Sequence, residues 1–307
     1  MHEVFLPAPR AKELGMAFDS LRPQPPRTPQ NTRVPETAQR YAATALERSR
    51  AAAALLAPTM DVPFGKDEDQ KLDIYGLPAT KEAPVLMFFH GGAWAHGYKE
   101  WNGFMAPALV DLPAVFVSVS YRLVPDHRWP APLDDAFAAL RWVWTNIAAH
   151  GGDPARVYVA GWSAGGALAT LLALRRDKYP TYGLPVDIVK GCLPTSASFE
   201  LRNSDLAPGN RGITYRDFLF SRDSDAQEAS ALNNVGGAPP PFFIAYGEQD
   251  FPPVLATGPR MVAALEAAGA DVVHAVYPGL DHYAMNLAQG DRDHGWVTSA
   301  RAMLEDG

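Results

Sequence analysis

The sequence predicts an α/β protein with a mostly parallel central sheet and helices on both faces of that sheet. Two observations support this prediction. Short apolar segments typical of buried strands alternate with helical segments over more than 200 residues. The chain has 307 residues, 47% hydrophobic and 20% charged, which is a globular composition with enough apolar surface for a large core. This length fits one large α/β domain or two small ones.

The N-terminal segment differs in composition from the rest of the chain. Residues 1–34 are rich in proline, which lacks a backbone amide hydrogen, so we expect an irregular arm. Pro35 can occupy the first position of a helix, and the residues as far as Ala57 have strong helix propensity. We therefore assign residues 1–60 to an arm and helix that form a cap or a subunit interface, and residues 61–307 to the α/β domain.

Seven apolar segments of the α/β domain are predicted strands, and four further segments are predicted helices. The strands are residues 70–75, 84–90, 115–121, 157–161, 188–193, 242–246 and 272–277. The helices are residues 132–150, 164–176, 254–268 and 296–304. Residues 195–241 form a long irregular insertion between two strands, and we expect this insertion to act as a cap.

The helix at residues 132–150 has the clearest amphipathic pattern. Its large apolar side chains are spaced four, three, four and three residues apart, which places them on one face. They are Leu133, Phe137, Leu140, Trp144 and Ile147.

Charge and targeting signals narrow the possible function classes. The 27 basic and 34 acidic residues give a net charge of −7, which argues against binding to nucleic acid or anionic lipid. Cys192 is the single cysteine, so no internal disulfide is possible, and its place in a strand predicts a small buried hydrophobe. The chain shows no secretory signal, and the uncharged run at residues 157–174 contains three glycines that favour a strand, turn and helix over a membrane span. We expect a cytoplasmic protein.

A serine motif lies between a predicted strand and a predicted helix. In Gly161-Trp-Ser-Ala-Gly165, a turn holds Ser163 in a strained backbone conformation with its hydroxyl above the sheet edge. The flanking glycines let the strand and the helix approach closely, and the helix start offers N–H groups to an anion. The motif predicts a nucleophile at Ser163, although an ordinary helix-capping serine has the same local pattern.

A glycine-rich turn follows an earlier predicted strand. Its sequence is His90-Gly-Gly-Ala-Trp94, and a turn of this kind exposes backbone N–H groups. Together with the N–H of Ala164, these groups can bind the oxyanion of a tetrahedral intermediate. We expect His90 to support the loop through hydrogen bonds and to take no part in catalysis.

A nucleophilic serine needs a base and an acid that orients the base. On a sheet of this kind, the acid and then the histidine follow the serine in the chain. Asp250 comes just after the strand at residues 242–246, and His282 just after the strand at residues 272–277. Both therefore lie beyond the carboxyl ends of strands, where such sheets place their active sites.

Other residues compete for these two roles. Glu248 is close to Asp250 and is the alternative acid, unless it faces solvent. His274 lies inside a predicted strand, whereas His127 and His294 lack the position directly after the last strand. We therefore favour Asp250 as the acid and His282 as the base.

Six short motifs spread over about residues 60–305 support the same assignment. They are His90-Gly-Gly-Ala-Trp94, Tyr121-Arg-Leu-Val-Pro125, Gly151-Gly-Asp-Pro154, Gly161-Trp-Ser-Ala-Gly-Gly166, Gly247-Glu-Gln-Asp250 and Asp281-His282. Together they resemble the hormone-sensitive-lipase-like esterases of the α/β-hydrolase superfamily. Leu72-Asp-Ile-Tyr75 and Gly247-Glu-Gln-Asp-Phe-Pro252 also resemble the kynurenine formamidase branch.

The resemblance implies an α/β-hydrolase fold and a role for each motif residue. It implies Ser163 as nucleophile, His282 as base and Asp250 as acid. It implies an oxyanion hole made by the N–H groups of Gly91, Gly92 and Ala164. The chain departs from the family pattern at Ala93, where a third glycine is usual, and at Trp162, where an acidic residue or histidine is commoner.

Five aromatic residues cluster around these loops in the sequence. They are Trp94, Tyr98, Trp101, Trp129 and Trp162. They line a pocket for an aryl or bulky group, or they pack under long loops. Trp94 and Trp162 adjoin the catalytic turns, so we expect these two to bind substrate. The histidines lack zinc-site spacing and the chain lacks nucleotide-binding motifs, so we expect no metal and no cofactor.

Three functions fit this reading. The first is hydrolysis of a small carboxylic ester through an acyl-enzyme. The second keeps the same residues and cleaves an aryl formamide. The third, from a different class, is a non-catalytic ligand receptor on the same fold. The partner in each case is a small molecule, and homo-oligomers are possible.

Overall fold

The computed structural model describes residues 36–112, 114–202 and 219–306. The predicted arm at residues 1–34 and the middle of the predicted insertion at residues 195–241 lie outside the described residues.

Eight strands form one sheet, in the spatial order β1-β2-β4-β3-β5-β6-β7-β8. The second strand runs antiparallel to both of its neighbours, and all other adjacent pairs are parallel. The strands are β1 (Thr59–Pro63), β2 (Lys71–Tyr75), β3 (Ala83–Phe89), β4 (Val115–Val119), β5 (Gly152–Trp162), β6 (Val189–Thr195), β7 (Phe242–Gln249) and β8 (Val272–Asp281). The predicted fold class, a mostly parallel sheet in an α/β protein, is confirmed.

Seven α-helices accompany this sheet in the described part of the chain. They are α1 (Glu36–Leu56), α2 (Ala131–Asn146), α3 (Ala164–Leu174), α4 (Asp223–Ala229), α5 (Pro252–Ala267), α6 (His282–Ala288) and α7 (Gly295–Asp306). Strand β1 and helices α4 and α6 were not predicted. Strand β1 contains Asp61 and ends at Pro63, so its pattern is not typical of a strand, and the two helices have seven residues each, too few to show a helical hydrophobic period. None of the helices within the described ranges is long and apolar enough to cross a bilayer.

The core has two parts, one on each face of the sheet. Helices α2, α3 and α5 pack on one face, and helices α1 and α7 pack on the other. Every residue of β3 is buried, and its side chains alternate between the two core clusters, as expected for a parallel strand covered on both sides. Cys192 of β6 is fully buried in the core on the face that carries α2, α3 and α5, as predicted.

The prediction of the apolar face of helix α2 is wrong for one residue. Trp144 is 38% exposed, whereas Val143 is fully buried. Val143 and Trp144 follow Leu140 by three and four residues, so they lie on opposite sides of Leu140 on the surface of α2. The helix packs on the sheet with its Val143 side toward the core.

Candidate active site

Ser163 occupies the turn between β5 and α3 in a conformation that residues with side chains rarely adopt. Its φ is 56° and its ψ is −122°, in the left-handed half of φ/ψ space. Its N–H donates to the carbonyl of Thr195 at the end of β6 (2.9 Å), which anchors the turn to the neighbouring strand. The strained turn predicted for the serine motif is therefore present.

The glycines of this motif allow a very close approach between backbones. A Cβ at Gly165 would lie 2.1 Å from the carbonyl oxygen of Phe89 and 2.4 Å from that of His90. A Cβ at Gly161 would lie 2.3 Å from the carbonyl oxygen of Gly165. The start of α3 is thus held against the end of β3, where the loop that begins at His90 leaves the sheet.

That loop is a compact turn around Gly92. The Gly92 carbonyl accepts hydrogen bonds from the N–H groups of Ala95 (3.1 Å) and His96 (2.9 Å). Gly92 has a φ of +124°, and a Cβ there would lie 2.1 Å from the His96 carbonyl oxygen. Ala93 and Trp94 follow with φ values of 52° and 67°. Three consecutive residues therefore have positive φ, and Trp94 at the end of this run shares a cavity wall with Ala164 and Ala167 of α3.

His90 braces the loop from below. Its imidazole stacks on Tyr121 (centroids 4.3 Å apart), whose hydroxyl donates to the His90 carbonyl (2.8 Å). Burial lowers the pKa of His90 to about 4, so the ring is neutral and its Nδ1–H donates to the Gly91 carbonyl (2.7 Å). These contacts agree with the supporting role predicted for His90.

Three predicted residues meet at the carboxyl edge of the sheet. His282 Nε2 lies 3.0 Å from Ser163 Oγ, and His282 Nδ1 lies 2.7 Å from Asp250 Oδ1. The serine and the histidine are 119 positions apart in the chain. The hydrogen bonds form a continuous path from a hydroxyl through an imidazole to a carboxylate, the geometry of a serine nucleophile with its base.

The Asp250 carboxylate is almost fully buried and well supplied with donors. Its Oδ2 accepts from the Ser196 hydroxyl (2.5 Å), and its Oδ1 accepts from the Phe251 N–H (2.7 Å). Burial raises the pKa of Asp250, but the hydrogen bond and charge of His282, the Ser196 hydroxyl and the Phe251 amide together hold it below its usual range. The group is therefore ionised at neutral pH.

His282 is the first residue of α6, and its neighbours fix both its backbone and its ring. The Asp281 carboxylate caps the helix by accepting from the N–H groups of Tyr283 (3.0 Å) and Ala284 (2.8 Å). The His282 imidazole stacks on the ring of Phe251 (centroids 4.1 Å apart) and contacts the ring of Trp162 (4.9 Å).

The competing candidates lie elsewhere. Glu248 is exposed and accepts from the Gly279 N–H (3.0 Å). His127 faces Asp67, and His294 contacts the ring of Tyr277. His274 contacts Tyr246, in the paired strands β7 and β8.

A cavity of about 60 Å³ opens beside Ser163. Its lining consists of Trp94, Ser163, Ala164, Ala167, Ser196, Ser198, Leu201, Phe251, Pro253, Val254 and His282. Trp94 is buried in this wall and meets Trp129 edge to face at 6.4 Å. Trp94 thus lines the cavity, and its contact with substrate stays a prediction.

Trp162 has a different place from the one predicted. It packs in the core on the opposite face of the sheet, against Tyr41 of α1 (centroids 4.7 Å apart), and its Nε1–H donates to the His282 carbonyl (3.0 Å). Successive residues of a strand point to opposite faces, so the residue before Ser163 faces away from the cavity. Trp101 also contacts Tyr41, so the five aromatics divide between the two faces.

A profile of the α/β-hydrolase fold family matches residues 86–286. The chain belongs to the α/β-hydrolase family. The strand order, the strained serine turn and the positions of Asp250 and His282 agree with this membership. Its sequence relatives place it in the hormone-sensitive-lipase-like branch, which contains carboxylic ester hydrolases, as the motifs predicted.

Two curated relatives come from Mycobacterium tuberculosis. Carboxylesterase NlhH is 33% identical over 239 residues, which cover 72% of each chain. Esterase LipQ is 32% identical over 246 residues, which cover 76% of this chain and 58% of LipQ, so this hydrolase spans little more than half of that relative. A solved esterase from Pyrobaculum calidifontis has a TM-score of 0.70 at 23% identity, covering 98% of this chain and 99% of its own.

Sequence reasoning missed two residues of this α/β-hydrolase site. Ser196 directly follows β6, and Phe251 directly follows Asp250. Position after the carboxyl end of a strand was an available signal for Ser196, because it had already selected Asp250 and His282. Phe251 lies inside the motif Gly247-Glu-Gln-Asp-Phe-Pro252, but that motif assigned it no role.

Proposed function

We propose that this protein hydrolyses carboxylic esters through an acyl-enzyme formed on Ser163. The observation that carries the proposal is the hydrogen-bonded path from Ser163 Oγ through His282 to the ionised carboxylate of Asp250. Both mycobacterial relatives are named as esterases, which supports the same bond type.

Attack begins with a proton transfer. Asp250 is an acceptor at neutral pH, so His282 keeps its proton on Nδ1 and presents the lone pair of Nε2 to the serine hydroxyl. As Ser163 Oγ bonds to the ester carbonyl carbon, Nε2 takes the hydroxyl proton. The Asp250 carboxylate stabilises the imidazolium that forms.

Three backbone N–H groups are the proposed oxyanion hole, those of Gly91, Gly92 and Ala164. Ala164 is the first residue of α3, so its N–H has no acceptor within the helix, and the helix start adds positive potential. The close approach of Gly165 to the end of β3 brings the glycine loop to the same place. Loss of one such donor costs about 10²–10³ in kcat in serine hydrolases.

The remaining steps restore the serine. The imidazolium of His282 gives its proton to the departing alcohol oxygen as the C–O bond breaks, which leaves an acyl group on Ser163. A water molecule then attacks the acyl carbon while Nε2 takes a proton from it. Collapse of this second intermediate returns the proton to Oγ and releases the carboxylic acid.

The cavity supports a small substrate with an aryl or other bulky apolar group. Trp94, Leu201 and Val254 supply apolar surface next to the serine. Residues 195–241 are the proposed cap, since Ser196, Ser198 and Leu201 at the start of this insertion line the cavity.

The two ends of the chain have different proposed roles. Residues 61–307 form the catalytic domain. Helix α1, within residues 1–60, supports the site from behind, because Tyr41 packs on Trp162, which in turn bonds to the His282 carbonyl.

Labelling by a fluorophosphonate probe and hydrolysis of p-nitrophenyl esters test the proposal. Wild-type protein should react with the probe and cleave short esters, and Ser163→Ala should lose both properties while keeping its melting temperature. The control His274→Gln changes an exposed histidine on β8 and should keep both. Absence of labelling in wild type would favour a ligand receptor, and preference for N-formylkynurenine over every ester would favour an arylformamidase.

A further inference from the structure

Backbone strain in this protein concentrates at the active site. In the described ranges, seven residues other than glycine have positive φ; three of them line the cavity, and a fourth directly precedes Trp94 in the cavity wall. These four are Ala93, Trp94, Ser163 and Ser196. Strained conformations persist where the surroundings hold them, and they cluster at functional sites. The first three belong to the oxyanion loop and the nucleophile turn, whereas Ser196 has no role in the mechanism above.

The Ser196 side chain is buried and makes a short hydrogen bond to the catalytic acid. Ser196 has a φ of 50° and is 1% exposed, and its Oγ lies 2.5 Å from Asp250 Oδ2. Its own N–H donates to the Ala245 carbonyl in β7 (2.8 Å). The preceding carbonyl, that of Thr195, accepts from the Ser163 N–H (2.9 Å). Two consecutive residues therefore hold the nucleophile turn and the acid.

We propose that Ser196 is a positioning residue that orients the Asp250 carboxylate toward His282. This inference rests on the proposed function, in which Asp250 is the acid of the triad. The strained backbone at Ser196 directs its hydroxyl to Oδ2, which leaves Oδ1 for the imidazole.

The need for such a residue follows from the freedom of a carboxylate. The χ2 torsion of aspartate has a broad energy well, so one contact does not fix the plane of the group. Phe251 N–H and His282 Nδ1 share Oδ1, and the second donor to Oδ2, the Gly247 N–H, is 3.4 Å away. The hydroxyl of Ser196 is thus the short contact that fixes Oδ2, in a buried setting where hydrogen bonds are strong.

The Ser196 hydroxyl also withdraws charge from the carboxylate. It is one of the donors that hold the pKa of Asp250 down. Without it, the negative charge is less dispersed and attracts the imidazolium of His282 more strongly. Removal of the hydroxyl should therefore strengthen the attraction between the carboxylate and the protonated imidazole.

Two variants that lack the hydroxyl test this role. Ser196→Ala keeps a Cβ, and Ser196→Gly suits a φ of 50° without strain, so a shared defect reports the hydroxyl and not the backbone. We expect both to lower kcat about tenfold, the effect of one hydrogen bond to a charged group, with little change in KM. The acidic limb of kcat/KM should move to higher pH in both.

Ser198→Ala is the matched control, because it removes another hydroxyl from the same cavity. The Ser198 hydroxyl donates to the Glu200 carbonyl (3.2 Å) and not to the acid, so the acidic limb should not move. Wild-type kcat and an unmoved limb in both Ser196 variants would overturn the proposal, as would the same shift of the limb in Ser198→Ala.

A readout without substrate separates this inference from the proposed function. The proton between His282 Nδ1 and Asp250 should give a far-downfield resonance in the wild-type NMR spectrum. In the Ser196 variants this resonance should change its position or broaden, whether or not a given ester is a substrate. A resonance identical to wild type in both variants, with melting temperatures maintained, would reject the positioning role. If wild-type protein hydrolysed no ester, that result would instead reject the proposed function.

Discussion

The phenyl ring of Phe251 lies on the imidazole of His282, with centroids 4.1 Å apart and planes inclined by 22°. Phe251 is 46% exposed, so this large apolar side chain remains at the rim of the cavity although solvent reaches it. An aromatic face stabilises a cation placed above it, and in the proposed mechanism the imidazole carries a positive charge once it has taken the serine proton. The stack therefore favours the charged intermediate over the resting enzyme.

Replacing Phe251 should slow the chemical step. Phe251→Leu keeps apolar bulk but removes the π face, and we expect kcat to fall about threefold to tenfold, given a cation–π energy of about 1 kcal/mol. Steady-state kinetics with p-nitrophenyl acetate measure this change. The control Leu255→Ala alters another exposed apolar residue of the same region, one turn along α5, and should leave kcat within twofold. An equal loss in both variants would refute a specific role for the stack.

His90 should make stability depend on pH. Its folded pKa of about 4 lies below the ordinary value of 6.5, so the unfolded chain binds its proton first. The neutral His90 ring makes its full contribution to folding stability above pH 6.5, and this contribution is lost as pH falls toward 4. Over that range, the free energy of unfolding in urea should fall by about 3 kcal/mol from this residue, at 1.4 kcal/mol per pKa unit. His90→Gln should show a correspondingly smaller dependence, and identical slopes would contradict the assignment.

A methyl group at Gly165 should disrupt the nucleophile turn. In Gly165→Ala, the new Cβ meets the backbone carbonyls of Phe89 and His90 at 2.1 and 2.4 Å, and backbone atoms cannot rotate away as a side chain can. We expect a loss of about 1–3 kcal/mol in unfolding free energy and a fall in kcat of at least a hundredfold. Gly236→Ala is the control, since nothing lies within 4 Å of its Cβ position. Full activity in Gly165→Ala would show that the turn tolerates the displacement.

Removal of the Tyr41 hydroxyl should destabilise the whole domain. This hydroxyl donates to Asn286 Oδ1 (2.7 Å), the first link of a buried chain that continues to Gln289 and then to Thr195. Tyr41→Phe leaves Asn286 Oδ1 without this donor in the core, which costs about 1–3 kcal/mol in chemical denaturation. Tyr182→Phe removes a half-buried bond to Asp134 and should cost less. Equal costs would show that the buried chain adds nothing.

Much of this protein follows from local patterns in its sequence. The fold class was predictable because strand and helix periods alternate along the chain, and parallel strands need that alternation. Ser163, Asp250 and His282 were predictable for a related reason. Each follows the carboxyl end of a strand, and in a parallel sheet all of those ends lie at one edge, so residues up to 119 positions apart meet without any knowledge of side-chain packing.

The remaining features depend on contacts that no local pattern encodes. Strand alternation turns Trp162 away from the Ser163 hydroxyl, but only the packing of α1 on that face of the sheet brings Tyr41 against Trp162. Ser196 reaches Asp250 because β6 and β7 are adjacent in the sheet, although 54 positions separate the two residues. Chain periodicity sets which elements form and which edge carries the chemistry, whereas packing between distant elements decides which side chains surround the reacting groups.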